Sequence, residues 1–153
     1  MNLASQAPAL SEALSLIRST PGYLDTGVHL AQLLSDGRLR VNPDLPDRAQ
    51  TTLAGIITLG EEAALASAVS LAQTLVHEHF HLHQPALLKT LSFWLGVLTR
   101  TPVMRRYEQP AYQAAVDFLE AVGRAHPHLA PEARAEANAV RQVFAINYGA
   151  ELR

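Results

Sequence analysis

A chain of 153 residues is long enough to bury a core of its own and is expected to fold as one domain spanning residues 1–153. A formal net charge of −2, with 48% hydrophobic and 17% charged residues, fits a globular chain and argues against a nucleic-acid surface. Cysteine is absent, which excludes disulfides and leaves histidines and carboxylates as the only strong metal ligands.

The opening stretch, MNLASQAPALSEALSLIRS, has no basic segment followed by a continuous apolar one, so no secretory signal is expected. Residues 10–19 read as a short amphipathic helix stopped by Pro21-Gly22, and residues 24–34 as a second helix closed by Ser35-Asp36-Gly37. Residues 38–41 alternate polar and apolar, which suits a strand. The two prolines and two aspartates of residues 42–48 mark a loop, and TTLAGIIT, residues 51–58, is β-branched and apolar enough for a second strand. Thr58 and Glu61 then fit a capping box, and a helical pattern runs from there without Gly or Pro to Pro85, predicting a helix of about 25 residues. Further helices are expected over residues 86–99, 109–125 and 131–148. The fold class is therefore mainly α with a small β-sheet (α+β). Residues 86–99 are too few to span a bilayer and include Lys89, so no membrane span and a cytoplasmic location are expected. Apolar nearly all round, that helix is either core or the face of a homodimer.

The long helix holds the chemistry. At about 100° per residue, Ser70, Gln73, His77, His81 and Gln84 fall on one narrow stripe, flanked by Ser67, Thr74 and Glu78. The rest of the circumference is apolar, so the helix must be buried except where this stripe faces a cleft or solvent. Near its end lies HEHFHLHQ, residues 77–84, which holds four of the seven histidines. As a strand it would present an H-x-H-x-H platform. As a helix, which the upstream pattern favours, it splits into the pairs His77/His81 and His79/His83.

His77-Glu78-x-x-His81 reads H-E-x-x-H. Histidines four apart stand one turn above each other, so both imidazoles can reach one ion. Glu78 lies about 100° round the helix from His77, placed to approach a water at the ion's open position without ligating the ion. This suits Zn²⁺, which takes neutral imidazole nitrogens at about 2.0–2.1 Å and keeps a fourth position open for solvent in catalytic sites. Glu78 would take the proton of that water as it attacks a polarised carbonyl.

Over residues 38–120 the chain resembles the zincin metallopeptidases, whose active-site helix carries H-E-x-x-H after a small sheet. The resemblance implies His77 and His81 as zinc ligands and Glu78 as general base. His81-Leu82-His83-Gln84-Pro85 departs from the metzincin extension, and the likeness is closer to small gluzincins, whose third ligand is a glutamate on a later helix. That implies Glu108, in Glu108-Gln109-Pro110-Ala111, with Asp117 and Glu120 as substitutes. Pro110 is expected to place Glu108 in the first turn of its helix.

A peptidase also needs a donor for the oxyanion that develops during attack. Tyr112, one turn after Glu108, is the favoured candidate, ahead of Arg105, Arg106, Tyr107, His126, His128 and Tyr148. His79 and His83 point towards the apolar side, as core or interface histidines or as a second metal site. The expected function is zinc-dependent hydrolysis of a peptide or protein substrate. Its rivals are a metal-binding or sensing protein without turnover, and an α-helical interaction module with incidental histidines.

Overall fold

The computed structural model of the protein describes residues 7–85 and 102–152. Apolar spacing in the first two helices does what the sequence predicts. Helix α1 (Ala7–Ser19) buries Ala13, Leu14, Leu16 and Ile17, and α2 (Leu24–Ser35) buries Leu30 and Leu33 after the Pro21-Gly22 turn. Strand β1 (Leu39–Val41) follows, with Leu39 inward.

The stretch expected to be one strand is instead a hairpin. Strand β2 (Ala49–Thr51) ends where the expected strand begins, and β3 (Ile57–Leu59) returns antiparallel to it, pairing Thr51 with Ile57 and Ala49 with Leu59. Between them the Gly55 N–H donates to the Thr52 carbonyl at 3.0 Å, and Gly55 sits at φ 71°, the left-handed region open to glycine. The turn chemistry of Leu53-Ala54-Gly55 overrides the β-branched composition around it. Strand β1 pairs parallel to β3, so the sheet order is β1-β3-β2 and β2 is an edge.

The capping box does not form either. Thr58 stays in β3, and Gly60 opens the one-turn helix α3 (Glu61–Ala64) without a side-chain cap. Gly60 is wedged against backbone: a Cβ there would lie 2.3 Å from the Asp47 carbonyl oxygen. The helix then breaks at residues 65–67, and Ser67 caps the next one, its Oγ accepting from the Ser70 N–H at 3.2 Å. The expected long helix is thus two, because a Ser in extended conformation satisfies an N-terminal N–H as well as another turn would.

Helix α4 (Ala68–His83) is the centre of the fold. It is buried over Val69, Leu71, Ala72, Leu75 and Val76 and packs against α1, α2, β2 and the two C-terminal helices. The first of these, α5 (Pro102–Ala125), starts seven residues before the expected boundary at 109 and runs through Pro110. An interior proline costs a helix about 3 kcal/mol or more. Here Ala111, Ala115, Val116, Phe118, Leu119 and Val122 are all buried on the same helix, and their packing offsets that cost. A short 3₁₀ turn, Pro127–Leu129, leads into α6 (Ala130–Tyr148), which buries Ala133, Ala137, Val140 and Phe144. The fold is mainly α with a small mixed sheet. No described helix is long and apolar enough to cross a membrane. The expected helix at residues 86–99, and with it the dimer face, lies outside the described residues.

Candidate metal centre

The polar stripe of α4 faces a cleft of about 560 Å³ between the β2 edge, α5 and α6. Gln73, Thr74, His77, Glu78 and His81 line it from α4, and Glu108 and Tyr112 face them from α5. His77 Nε2 and His81 Nε2 are 3.1 Å apart, and Glu108 Oε2 lies 3.4 Å from the first and 3.3 Å from the second. Two atoms bound at about 2.0–2.1 Å to one tetrahedral ion stand about 3.3–3.4 Å from each other. The three donors therefore already form the face of a zinc-sized tetrahedron, and the residues fit such an ion.

Because α5 begins at Pro102, Glu108 is its seventh residue and not part of the first turn, contrary to the sequence expectation. The two substitutes stand elsewhere. Asp117 and Glu120 are exposed, the first accepting from Gln113 at 2.9 Å and the second from Arg141 at 2.6 Å.

A second set of contacts orients the imidazoles. His81 Nδ1 donates to Gln84 Oε1 at 2.7 Å, and Gln84 Nε2 donates onward to the Tyr107 carbonyl at 2.8 Å. This chain engages Nδ1 as a donor and leaves Nε2 facing Glu108 and His77, where it donates to the carboxylate when the ring is protonated and offers a lone pair to an ion when it is not. The Tyr107 ring stacks on His81 at 4.7 Å and 12°, and Tyr112 meets His77 edge-on at 4.7 Å. Gln84 was visible in the sequence only as part of the polar stripe. Its orienting role needs the partner carbonyl on α5, which no sequence spacing reveals.

Glu78 is only 7% exposed, and its Oε2 accepts from Thr51 Oγ1 at 2.6 Å. The last residue of β2 thus holds the carboxylate that follows the first histidine. Sequence reasoning missed Thr51 because it placed that residue at the start of a strand and not at the end of one.

Burial works to raise the Glu108 pKa, but hydrogen bonds from His77 and His81 outweigh it and hold the carboxyl down to about 2. Burial works to lower the His81 pKa, and Glu108, Gln84 and Glu78 together raise it. Burial, with the Glu108 and Glu78 charges, pushes Tyr112 up to about 12 against a hydrogen bond from Asn147. Burial and Glu108 also raise Tyr107 and Tyr148. All three phenols keep their protons at neutral pH and can donate.

Tyr107 and Tyr148 line the cleft with Tyr112, and the Tyr107 hydroxyl is buried with no hydrogen-bond partner among the described residues. The other proposed oxyanion donors are not in the cleft lining: Arg105 and Arg106 lie outside it, and His126 and His128 sit at the 3₁₀ turn, His126 Nε2 being 3.3 Å from Ser19 Oγ. At the cleft's far end Arg48 bonds Thr74, Ser70 and Glu62, and Ser70 Oγ donates to Glu136 at 3.1 Å. Glu136 therefore belongs to the cleft.

His79 and His83 emerge on the other side of α4, where His29 of α2 meets them. Burial and the neighbouring His83 and His29 lower the His79 pKa to about 4.

Compared with protein-family profiles, curated proteins and solved structures, the chain matches none.

Proposed function

We propose that the protein is a zinc-dependent hydrolase of peptide or amide bonds with a gluzincin-like centre, acting in the cytoplasm on a peptide or protein substrate. The carrying observation is the triangle of His77 Nε2, His81 Nε2 and Glu108 Oε2, with edges of 3.1, 3.4 and 3.3 Å, beside the buried carboxylate of Glu78. His77, His81 and Glu108 would hold Zn²⁺, which supplies a Lewis acid for the scissile carbonyl and makes water a usable nucleophile near neutral pH.

The remaining work falls to the chain's own groups. Glu78 takes the proton of the attacking water and passes it to the leaving amine, and Thr51 fixes the carboxylate for both transfers. Tyr112, protonated and packed on His77, donates to the oxygen that becomes negative. Strand β2, at the edge of the sheet among the described residues, lines the same cleft through Ala49, Gln50 and Thr51, so an extended peptide can lie beside it with its backbone along the triad.

Hydrolysis of a quenched fluorescent peptide library by wild type and Glu78→Gln tests the reading. A loss of about 10²–10⁴-fold with metal content unchanged supports it. Equal hydrolysis by both would remove Glu78 from the mechanism. Two imidazoles with one carboxylate are also the ligand set of non-haem Fe(II) centres. Protein that isolates with iron and hydrolyses nothing would shift the reading to oxygen chemistry at the same ligands.

A further inference from the structure

The H-E-x-x-H reading uses only half of HEHFHLHQ. His79 and His83 are also four apart, but two residues out of phase with His77 and His81, so they emerge about 200° round α4 on the side away from the cleft. The sequence supplies only this pair; the fold adds His29, more than forty residues earlier, from α2. His29 Nδ1 lies 2.9 Å from His79 Nε2. The ring centroids of the three are 5.0, 5.8 and 4.6 Å apart, and one ligand nitrogen from each falls within 4.8 Å of the other two.

The hydrogen bonding prepares one of these rings for a metal. His83 Nδ1 donates to the His79 carbonyl at 3.0 Å, which fixes the tautomer and leaves Nε2 with its lone pair. A backbone carbonyl on the far ring nitrogen is the usual support for a metal-bound imidazole. The His29–His79 contact puts two ring nitrogens face to face, where either one proton or one ion must lie between them. Nitrogens on a shared tetrahedral ion stand about 3.3–3.4 Å apart, so the His29–His79 pair needs to open only slightly, and the His83 nitrogen, within 4.8 Å, must close in to complete the set.

We propose that His29, His79 and His83 form a second metal site, for Zn²⁺ or another imidazole-preferring divalent ion, that ties α2 to the last turn of α4. The group contains no carboxylate, so it lacks a base like Glu78 and acts as a clamp. The turn it grips is the one that carries His81, so occupancy of the clamp holds one wall of the cleft in place. The site stands independently of the proposed hydrolase.

The test is zinc uptake, followed by native mass spectrometry at neutral pH, by untagged and chelator-stripped protein. Wild type is compared with His29→Ala, whose side chain is not part of the cleft lining, and with the double variant His77→Ala/His81→Ala. The proposal expects His29→Ala to take up one ion fewer than wild type, and the double variant to retain one. Equal uptake by wild type and His29→Ala means three histidines that only hydrogen-bond one another, and overturns it. If wild type takes a single ion and His29→Ala takes none, this site stands while the cleft site fails, so the two readings fail separately. Co²⁺ in the double variant adds a visible spectrum, which His29→Ala in the same background must abolish.

Discussion

One helix carries two histidine pairs with identical spacing, and the fold treats them differently. On the cleft side, His77 and His81 meet a buried carboxylate, and His81 is locked by a relay through Gln84 to the Tyr107 carbonyl. On the other side, His79 and His83 meet a third imidazole from α2, with a single backbone carbonyl to orient them. A spacing of four residues therefore brings two imidazoles together and nothing more. In the proposed sites the third side chain would set the charge, and a neighbouring carboxylate would decide whether bound solvent can be deprotonated.

Removing a cleft ligand should separate the two sides most sharply. His81→Ala or Glu108→Ala is expected to abolish both hydrolysis and metal binding in the cleft while leaving the His29 cluster loaded. Metal analysis alongside peptide cleavage checks this, and full cleavage by either variant would break the comparison.

Next in size is Gln84→Leu, which keeps every ligand but cuts the relay. Loss of such an outer partner costs about 10–100-fold in metal affinity or activity. Competition with a zinc chelator measures it, and an unchanged affinity would show that His81 needs no orienting partner. Thr51→Val probes the same idea at the base. It should lower hydrolysis about tenfold, since Glu78 keeps its place but loses its hydrogen bond, and should leave zinc affinity unchanged. A drop in affinity instead of rate would assign Thr51 to the metal and not to the base.

The smallest effect is on the stability of metal-free protein. Glu108 in the folded state is held near 2, below its ordinary value of 4.5. A depressed carboxyl adds stability above its unfolded pKa and loses it as the pH falls towards the folded value. The denaturation midpoint of wild type should therefore fall relative to that of Glu108→Gln between about pH 4.5 and 2. Parallel pH curves for the two proteins would mean that the triad is not preformed without metal.

The sequence showed some of this architecture and concealed the rest for identifiable reasons. Helices α1, α2 and α6 were legible because apolar periodicity and Gly or Pro stops agree there. The hairpin was hidden because Thr51, Thr52, Ile56, Ile57 and Thr58 all favour strand, and only Gly55 marked the turn between them. The break before α4 was hidden because residues 65–67 hold neither Gly nor Pro, and Ser67 reads as an ordinary helical residue until its cap is seen. Pro110 misled in the other direction: a helix-start signal proved to be an interior proline, outweighed by packing on both sides. At the site, spacing identified His77, Glu78 and His81, and a family likeness named Glu108. Thr51, Gln84 and His29 could be found only through contacts between elements far apart in sequence.

Diffraction data collected on crystals at the zinc absorption edge decide whether an ion sits on this triangle. An anomalous peak is expected about 2.0–2.1 Å from His77 Nε2, His81 Nε2 and a Glu108 carboxylate oxygen, with one position left to solvent. A zinc-loaded crystal with no peak among these atoms, or with Glu108 turned away from both imidazoles, would contradict it.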